Sequence, residues 1–355
     1  MKRSAVLFTL SFLAGLPAAF ADEAAEKAAA KLLEAKMRSE DPSALQVLKA
    51  VQGRDIVVVQ GSMDHIEQIL QAANIRHTLI TPDQVGSYDL RGDQILMVNC
   101  PGNMPAAGLR RVEKFVRAGG LLYTTDWALL NVIQKAFPKT IAHNGQSTGN
   151  EVTHVHVHAK HDDMMSNVLL RKDQDPQWWL EGGSYPIKIL DRQRVEVLAS
   201  SAEMGRKYGA APVVVRFKWD DGEVIHVVSH FYRQMDAKGP AVAAAKAIDG
   251  IGGLSEKDKA EFKASAPAAA APIANVESSY AFQRMTSNLI TGKAQKNEAW
   301  KQSYGFTAKD EVVVEGRKVK KGDRLRVLSR RGSRVRVRDD QGNEAELESD
   351  AIQAY

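Results

Sequence analysis

The hydrophobic positions along this chain follow two different periods, and their alternation predicts a sheet covered by helices. Continuous apolar runs of strand length lie at residues 55–60, 94–99 and 121–123, and helical spacing is found at 64–73 and 105–118. Continuous β-branched runs are typical of strands buried on both faces, and strands that alternate with helices form right-handed βαβ crossovers. The pattern therefore predicts an α/β fold with a doubly wound, mostly parallel sheet.

Residues 110–137 contain the frame of a nucleophile elbow, which is a sharp turn between a strand and a helix. A helix ends at a glycine pair, a buried strand follows, and Thr124, Thr125 and Asp126 lead into the next apolar-periodic stretch. Asp126 stands where a reactive Cys or Ser would be expected. Free N–H groups and the helix dipole stabilise a carboxylate at a helix N-terminus, so we interpret Asp126 or Thr125 as a plain N-cap.

Short strands continue through the second half of the chain. Strands are expected at residues 152–158, 185–190 and 195–199, and a β-hairpin at 213–229. From residue 309 onward, evenly spaced turns separate short strands, which is the signature of a small β-barrel. The predicted segments are a signal peptide (1–21), a helical segment (22–51), the α/β domain (52–236), an Ala/Pro/Gly-rich insert or linker (237–276), a helix packed on the α/β domain (277–303) and the barrel (309–355).

The N-terminus has the order of features of a secretory signal peptide. Lys2 and Arg3 precede an apolar run at residues 5–16, and Ala19-Phe20-Ala21 supplies a small-x-small cleavage site. We predict cleavage near Ala21 and an exported protein, either periplasmic or secreted. No later segment is long and apolar enough to span a membrane, so no transmembrane segment is expected in the mature chain.

Composition narrows the expected partners only slightly. The 355 residues are 44% hydrophobic and 26% charged, which is ordinary for a globular protein. Removal of Lys2 and Arg3 lowers the formal net charge from +5 to +3, which is weak evidence for a polyanionic partner, and export argues against nucleic acid. Cys100 is the only cysteine, so no intrachain disulfide can form.

Three alternating histidines are candidate metal ligands. His154, His156 and His158 would share one face of a strand, and neutral imidazoles projecting together can bind Zn²⁺. The first and third of them would lie about 13 Å apart along the strand, so two adjacent histidines could share an ion but all three could not. A polar, half-exposed strand face is the favoured interpretation. Zn²⁺ stays open, and no other cofactor is expected.

His230 is a candidate crevice residue. It follows the strand at residues 224–229, and ligand crevices in open α/β sheets form outside the carboxyl ends of the strands. The alternative is a structural hydrogen-bonding role, to which His226 on the same strand is also suited.

The terminal barrel carries a basic stretch. Arg334, Arg336 and Arg338 share a face opposite Val335 and Val337, and the region is strongly cationic from residue 317 onward. A solvated face is the favoured interpretation. The alternative is docking to an anionic envelope polymer such as peptidoglycan, to a lipid surface or to an acidic protein.

Two family resemblances rest on quoted motifs. DIVVV (55–59), DQILMVNCPGNMP (93–105), EKFVRAGGLLYTTDWAL (113–129) and GEVIHVVSHFYRQ (222–234) resemble the class I glutamine amidotransferase-like superfamily, especially its ThuA-like, non-amidotransferase branch. That resemblance implies a flavodoxin-like, amidotransferase-like sheet. Residues 313–352 resemble a bacterial SH3-like domain, which implies a small all-β barrel.

Carried over residue by residue, the amidotransferase triad is mostly missing. That family places its nucleophilic Cys between two glycines at the elbow, where this chain has Thr125 and Asp126 without flanking glycines. The catalytic His position matches His230, whereas Tyr232 stands where the family has Glu. Cys100 falls on the loop that helps to form the oxyanion hole, which implies that it lies near the pocket.

The favoured hypothesis is an exported, non-catalytic binding protein for an unknown small molecule or protein, which an SH3-like module attaches to the envelope or to a partner. The alternative is a hydrolase-type enzyme that uses Asp126, His230 or Cys100 in the same crevice, with or without a metal on the strand of alternating histidines. A purely structural scaffold is the third hypothesis.

Overall fold

A large β-sheet organises the chain. The structure is a computed structural model that describes residues 18–158, 162–172, 174, 176–230 and 242–354. The strands of the α/β domain, in chain order, are β1 (Ile56–Val59), β2 (Thr78–Ile80), β3 (Ile95–Val98), β4 (Leu121–Thr125), β5 (Ile141–His143), β6 (Glu151–His154), β7 (His156–Val157), β8 (Gln177–Leu180), β9 (Ile187–Ile189), β10 (Val195–Ser200), β11 (Pro212–Trp219) and β12 (Gly222–Val227).

Eight of these strands form one sheet in the order β2-β1-β3-β4-β12-β11-β10-β7. The five strands from β2 to β12 in that order are parallel, and the last three pairings are antiparallel. The order of the parallel part is that of flavodoxin-like sheets. The α/β class is as predicted, and the sheet as a whole is mixed. Strands β5 with β9 and β6 with β8 form separate antiparallel pairs.

Helices cover the sheet. They are α1 (Ala18–Glu40), α2 (Pro42–Ala50), α3 (Ile66–Ala72), α4 (Ala106–Arg117), α5 (Gln134–Ala136), α6 (Ala202–Tyr208), α7 (Ala244–Ala247), α8 (Glu256–Ala264), α9 (Ala266–Ala270) and α10 (Ile273–Tyr304), and a π-helical turn at Leu129–Ile133 precedes α5. The middle of α10, residues 276–290, is buried on all sides. One side of it meets the sheet, where Phe282 packs edge-on against Tyr123, and another meets α1, where the Gln283 amide donates to the Glu26 carbonyl.

The stretch predicted as an insert or linker is folded over its described part, residues 242–276. Helix α8 begins with a capping box in which Ser255 and Asp258 satisfy each other's backbone N–H groups. Ile248, Ile251 and Phe262 are buried against the main core. The alanine content had suggested flexibility. Alanine is the best helix former, however, and this stretch forms short helices.

The predicted signal peptide lies almost entirely outside the described residues, which begin at Ala18 in helix α1. Among the helices that the structure describes, none is long and apolar enough to cross a membrane.

A small all-β module follows α10. Its strands are β13 (Gly305–Ala308), β14 (Val312–Val314), β15 (Arg317–Val319), β16 (Arg324–Arg331), β17 (Arg334–Asp339), β18 (Glu344–Glu348) and β19 (Ile352–Ala354). Five of them form an antiparallel sheet in the order β18-β17-β16-β13-β19, and β14 pairs with β15. The module has its own apolar core, which consists of Ala308, Val314, Val319, Leu325, Val335, Val337 and Ile352.

The module packs on the amino edge of the large sheet. The Gly92 N–H, just before β3, donates to the Asp340 carbonyl at 2.7 Å, and Arg326 pairs with Asp221, just before β12. Gly342 has a φ of 85°, and a Cβ on it would lie 2.4 Å from the Lys114 carbonyl oxygen of α4. Only glycine suits that contact. The carboxyl edge of the sheet therefore lies at the end of the domain opposite to the module.

The three arginines of β17 differ in exposure: the side chains of Arg334 and Arg336 are exposed, whereas Arg338 is buried. Strand β18 lies beside β17 and pairs its three glutamates with these arginines in the β-ladder, Glu348 with Arg334, Glu346 with Arg336 and Glu344 with Arg338. Arg338 is only 6% exposed and holds Asp220 and Asp221 of the α/β domain by ion pairs. The acids that neutralise the face stand just after the basic stretch in sequence.

Candidate functional site

Four side chains that follow four parallel strands meet at the carboxyl edge of the sheet. Asp64 follows β1, Cys100 follows β3, Asp126 follows β4 and His230 follows β12. Each is at most 3% exposed. Because the carboxyl ends of parallel strands lie at one edge, strand order alone brings these residues together. We call Cys100, Asp126 and His230 the edge cluster.

Asp126 is the elbow residue. Its φ is 45°, a left-handed conformation that Asp tolerates better than most residues, and its N–H donates to the Val227 carbonyl at 2.9 Å. One carboxylate oxygen accepts from the Ser184 hydroxyl at 2.9 Å and the other from the Tyr185 N–H at 3.0 Å. Our interpretation of Asp126 as an N-cap is wrong, because the carboxylate faces the loop after β8 instead of the helix that follows.

Burial raises the pKa of Asp126 to about 6, although the charge of His230 and the two hydrogen bonds oppose the shift. Thr125, the other N-cap candidate, donates its hydroxyl to Oδ2 of Asp64 at 2.6 Å. Thr125 therefore fixes the neighbouring carboxylate and does not cap the helix that follows.

His230 is held by one ring nitrogen only. Nδ1 lies 2.6 Å from Oε2 of Glu181, whereas the buried Nε2 has no hydrogen-bond partner and lies 3.8 Å from Oδ2 of Asp64. Burial lowers the pKa of His230, but the charge of Asp64, the contacts with Cys100 and Glu181 and the charge of Asp126 outweigh it and raise that pKa well above its usual range. The ring is therefore fully buried and held through Nδ1, with Nε2 on the side of Asp64.

Glu181 is fixed by the bend at the end of β12. Ser229 has a φ of 62°, and its hydroxyl oxygen accepts from the Glu181 N–H at 2.7 Å. The turn that presents His230 thus also anchors the loop that carries its carboxylate partner.

Cys100 completes the edge cluster. One ligand atom from each of Cys100, Asp126 and His230 lies within 4.8 Å of the other two. Burial raises the pKa of the Cys100 thiol, although its contact with His230 lowers it. Gly61 is required beside it, because a Cβ there would lie 2.2 Å from the Cys100 carbonyl oxygen.

Charge and donor type together define what this site can hold. Asp64, Asp126 and Glu181 surround the single imidazole, so carboxylates outnumber basic groups. Sulfur, imidazole nitrogen and carboxylate oxygen are the ligand atoms that Zn²⁺ takes in proteins. The edge cluster is the group of three such residues, among those the structure describes, that could hold a metal ion.

The three alternating histidines lie elsewhere. Nδ1 of His154 lies 2.8 Å from Oε1 of Glu203, and Nε2 of His158 lies 2.7 Å from the Ser200 hydroxyl. The rings of His156 and His158 are 4.7 Å apart. Within the described part of the chain, these histidines do not join a group of three close ligand atoms. His161 and Tyr232 lie outside the described residues.

His226 has a structural role. It is fully buried on β12, and its Nδ1 lies 2.8 Å from the Thr124 hydroxyl. Burial lowers the pKa of His226 to about 3, so the ring is neutral at physiological pH.

A stack of three rings lies beside Asp126. The ring centroids of Trp127 and Tyr185 are 5.6 Å apart, and those of His143 and Tyr185 are 4.0 Å apart, with interplanar angles of 21° and 19°. All three residues are partly exposed. The stack forms a flat aromatic surface next to the edge cluster.

Sequence reasoning missed Asp64, Glu181 and Ser184. Asp64 had a usable signal, because it follows the first parallel strand and must lie at the same edge as Asp126. Glu181 and Ser184 follow β8, which belongs to a separate two-stranded pair, so no strand-order rule places them.

No protein-family model and no curated protein matches the chain. Among solved structures, it is similar to a GH42 β-galactosidase of G. stearothermophilus (12% identity, TM-score 0.34, 50% of this chain and 28% of that chain). It is also similar to the carbohydrate deacetylase Agd3 (13%, 0.37, 51% and 30%) and to a ThuA-like protein of Bacteroides uniformis (12%, 0.35, 50% and 82%). The chain spans about a third or less of the two enzymes. Similarity at this level assigns neither a family nor an activity.

Proposed function

We propose that the protein is an exported hydrolase-type enzyme whose reaction takes place at the edge cluster. The single observation that carries the proposal is the approach of Cys100, Asp126 and His230 to within 4.8 Å at the carboxyl edge. Export is supported by the signal-peptide pattern of residues 1–21.

The arrangement supplies what a hydrolytic site needs. A hydrolase requires a nucleophile or an activated water, a group that manages the proton, and a partner that orients that group. The edge cluster offers a thiol, a carboxylate and an imidazole, and Glu181 orients the imidazole through Nδ1. The elbow conformation of Asp126 supports the same conclusion, because backbone strain is concentrated at functional sites.

The amidotransferase pattern had suggested lost chemistry, and the site supports a different assignment of roles. The elbow carries a carboxylate and the thiol comes from the neighbouring strand end, so Cys100 meets His230 although Cys100 does not stand at the family's nucleophile position. The β-module packs on the amino edge of the sheet, so it does not cover the carboxyl edge, where we place the substrate. Attachment to the envelope or to a partner is the role proposed for that module, on the sequence resemblance alone.

A substrate panel tests the proposal. Purified mature protein is assayed on nitrophenyl esters, amide substrates and glycosides, beside Asp126→Asn, His230→Gln and the control His156→Gln. We expect hydrolysis of one class by the wild type and by the control, and a loss of about 100-fold or more in the other two variants, since a positioned proton-transfer group contributes on that order. Equal rates of hydrolysis in all four proteins would exclude the edge cluster as the catalytic site.

Ligand binding without catalysis is the second candidate. The observation that favours it is the partly exposed ring stack of His143, Tyr185 and Trp127, whose flat faces suit a sugar or another ring. Tyr185→Ala would then abolish binding of a ligand that Asp126→Asn leaves bound, and no substrate would be turned over.

A further inference from the structure

We infer that Cys100, Asp126 and His230 are the three protein ligands of one Zn²⁺-type metal ion. The inference deepens the proposed function, on which its catalytic meaning rests, but metal binding itself is testable without any substrate. It replaces the strand of alternating histidines as the metal site of this chain.

The bonding of His230 is the first argument. A histidine that ligates a metal donates its other ring N–H to a carboxylate or carbonyl, which fixes the ring and its tautomer. Nδ1 of His230 makes such a contact with Glu181 at 2.6 Å, and the fully buried Nε2 makes no hydrogen bond of normal geometry, with the Cys100 thiol beside it and Oδ2 of Asp64 3.8 Å away. A buried nitrogen without a partner is costly unless something occupies the space in front of it.

The second argument is the meeting of three donor types at that nitrogen. The ligand atoms of Cys100, Asp126 and His230 lie within 4.8 Å of one another. Zn²⁺ binds sulfur at about 2.3 Å and imidazole nitrogen at about 2.0 Å, so atoms at this separation need only small rotations to share an ion. A set containing sulfur and nitrogen favours Zn²⁺ over Mg²⁺ or Ca²⁺, which take oxygen.

Charge is the third argument. Asp64 and Asp126 are buried beside one imidazole, which the partly exposed Glu181 also contacts, and removing carboxylates from water is expensive unless cations compensate them. A divalent ion would supply that compensation.

Asp64 lies beside the three proposed ligands but is not counted among them. Its Oδ2 accepts from the Thr125 hydroxyl at 2.6 Å and lies 3.8 Å from Nε2 of His230, and its Oδ1 accepts from the His65 N–H at 2.7 Å. Asp64 is thus already bound by its own neighbours. The chain thus supplies three protein ligands, which is the number found in catalytic rather than structural zinc sites.

The test is a spectroscopic titration of the full mature chain after treatment with a chelator. Co²⁺ is added first, because a thiolate ligand gives a charge-transfer absorption, and Zn²⁺ is then used to displace it. The variants are Cys100→Ser, Asp126→Asn, His230→Gln and Glu181→Gln, with His156→Gln as the matched control and circular dichroism as the check on folding.

We expect stoichiometric Co²⁺ binding with the thiolate band in the wild type and in His156→Gln, and no band in Cys100→Ser. Glu181→Gln should weaken Zn²⁺ binding by roughly 10- to 100-fold, as the loss of an outer-shell partner does, and His230→Gln by more. Should Cys100→Ser fail to fold, Asp126→Asn and Glu181→Gln carry the test. Absence of binding, or unchanged binding in folded variants, would overturn the inference.

The two proposals fail in different ways. Metal bound as expected without turnover of any substrate leaves the metal site standing and removes the hydrolase. Turnover by chelator-treated protein that Asp126→Asn abolishes leaves the hydrolase standing and removes the metal.

Discussion

Nδ1 of His230 lies 2.6 Å from Oε2 of Glu181. The contact joins the end of a central parallel strand to a loop that belongs to a separate two-stranded pair, and it leaves Nε2 of His230 facing Cys100 and Asp126. The orientation of the ring therefore depends on a residue far away in sequence.

Replacing Glu181 with Leu should destabilise the fold. The change leaves a buried ring N–H without an acceptor, which costs about 1–3 kcal/mol, whereas Glu181→Gln keeps an acceptor and should cost less. The free energy of unfolding in urea measures both, and Glu256→Gln, on an exposed side chain, is the control. Equal stability of the Leu variant and the wild type would contradict the contact.

Asp126→Ala should be more damaging than Asp126→Asn. Alanine loses the hydrogen bonds from Ser184 and Tyr185 and must also adopt a φ of 45°, while asparagine tolerates that conformation and keeps an acceptor. We expect a loss of about 2–4 kcal/mol for alanine, since a strained non-glycine φ and a lost buried acceptor each cost on the order of 1–3 kcal/mol. Calorimetric or urea unfolding checks the order, and a reversed order would show that the elbow conformation is not retained.

Arg338→Met should weaken the packing of the β-module on the α/β domain. Arg338 is buried and pairs with Asp220, Asp221 and Glu344, and removing one partner from a buried ion-pair network costs roughly 3–5 kcal/mol.

The matched control for Arg338→Met is Arg334→Met on the same strand. The side chain of Arg334 is exposed and pairs only with exposed Glu348, so its loss should cost less than about 1 kcal/mol. Similar losses of unfolding free energy in Arg338→Met and Arg334→Met would contradict the assigned interface between the β-module and the α/β domain.

Lys293 should make stability depend on pH. Burial, with the charge of Arg324, lowers the pKa of Lys293 to about 7, and its ammonium donates to the carbonyls of Gly92 and Gly119. Between pH 7 and about 10 the unfolded chain holds a proton that the folded chain has released, so the free energy of unfolding should rise with pH across that window.

The measured quantity for Lys293 is the difference in unfolding free energy between the wild type and Lys293→Met at several pH values. The stability of the wild type relative to Lys293→Met should grow from pH 7 to about 10. The control is Lys257→Met, because the side chain of Lys257 is 83% exposed, and its difference from the wild type should stay nearly constant with pH. A difference that stays constant with pH would mean that Lys293 keeps its proton in the fold.

Local patterns were enough to predict the framework of the site. The continuous runs that became β1, β3 and β4 fix the parallel sheet, and strand order then places Cys100, Asp126 and His230 at one edge. The same rule would have found Asp64. It does not reach Glu181 or Ser184, whose position depends on tertiary pairing outside the main sheet.

The N-cap prediction failed because a partner in space was missing from the local pattern. The N-cap interpretation of Asp126 considered only the helix that follows, and the loop at Ser184 competes for the carboxylate more effectively. The local pattern of the basic stretch likewise did not reveal that Arg338 is buried, or that Glu348 and Glu344 of the next strand lie opposite Arg334 and Arg338.

The central claim is that the edge cluster is a functional centre and not only a buried hydrogen-bond network. The most direct test is an anomalous difference map from crystals of the wild type soaked in Zn²⁺, collected above and below the zinc absorption edge. We expect a peak bonded to Sγ of Cys100, Nε2 of His230 and a carboxylate oxygen of Asp126, at about 2.0–2.3 Å. A map without a peak at these atoms, or with its peak at His156 and His158 instead, would contradict it.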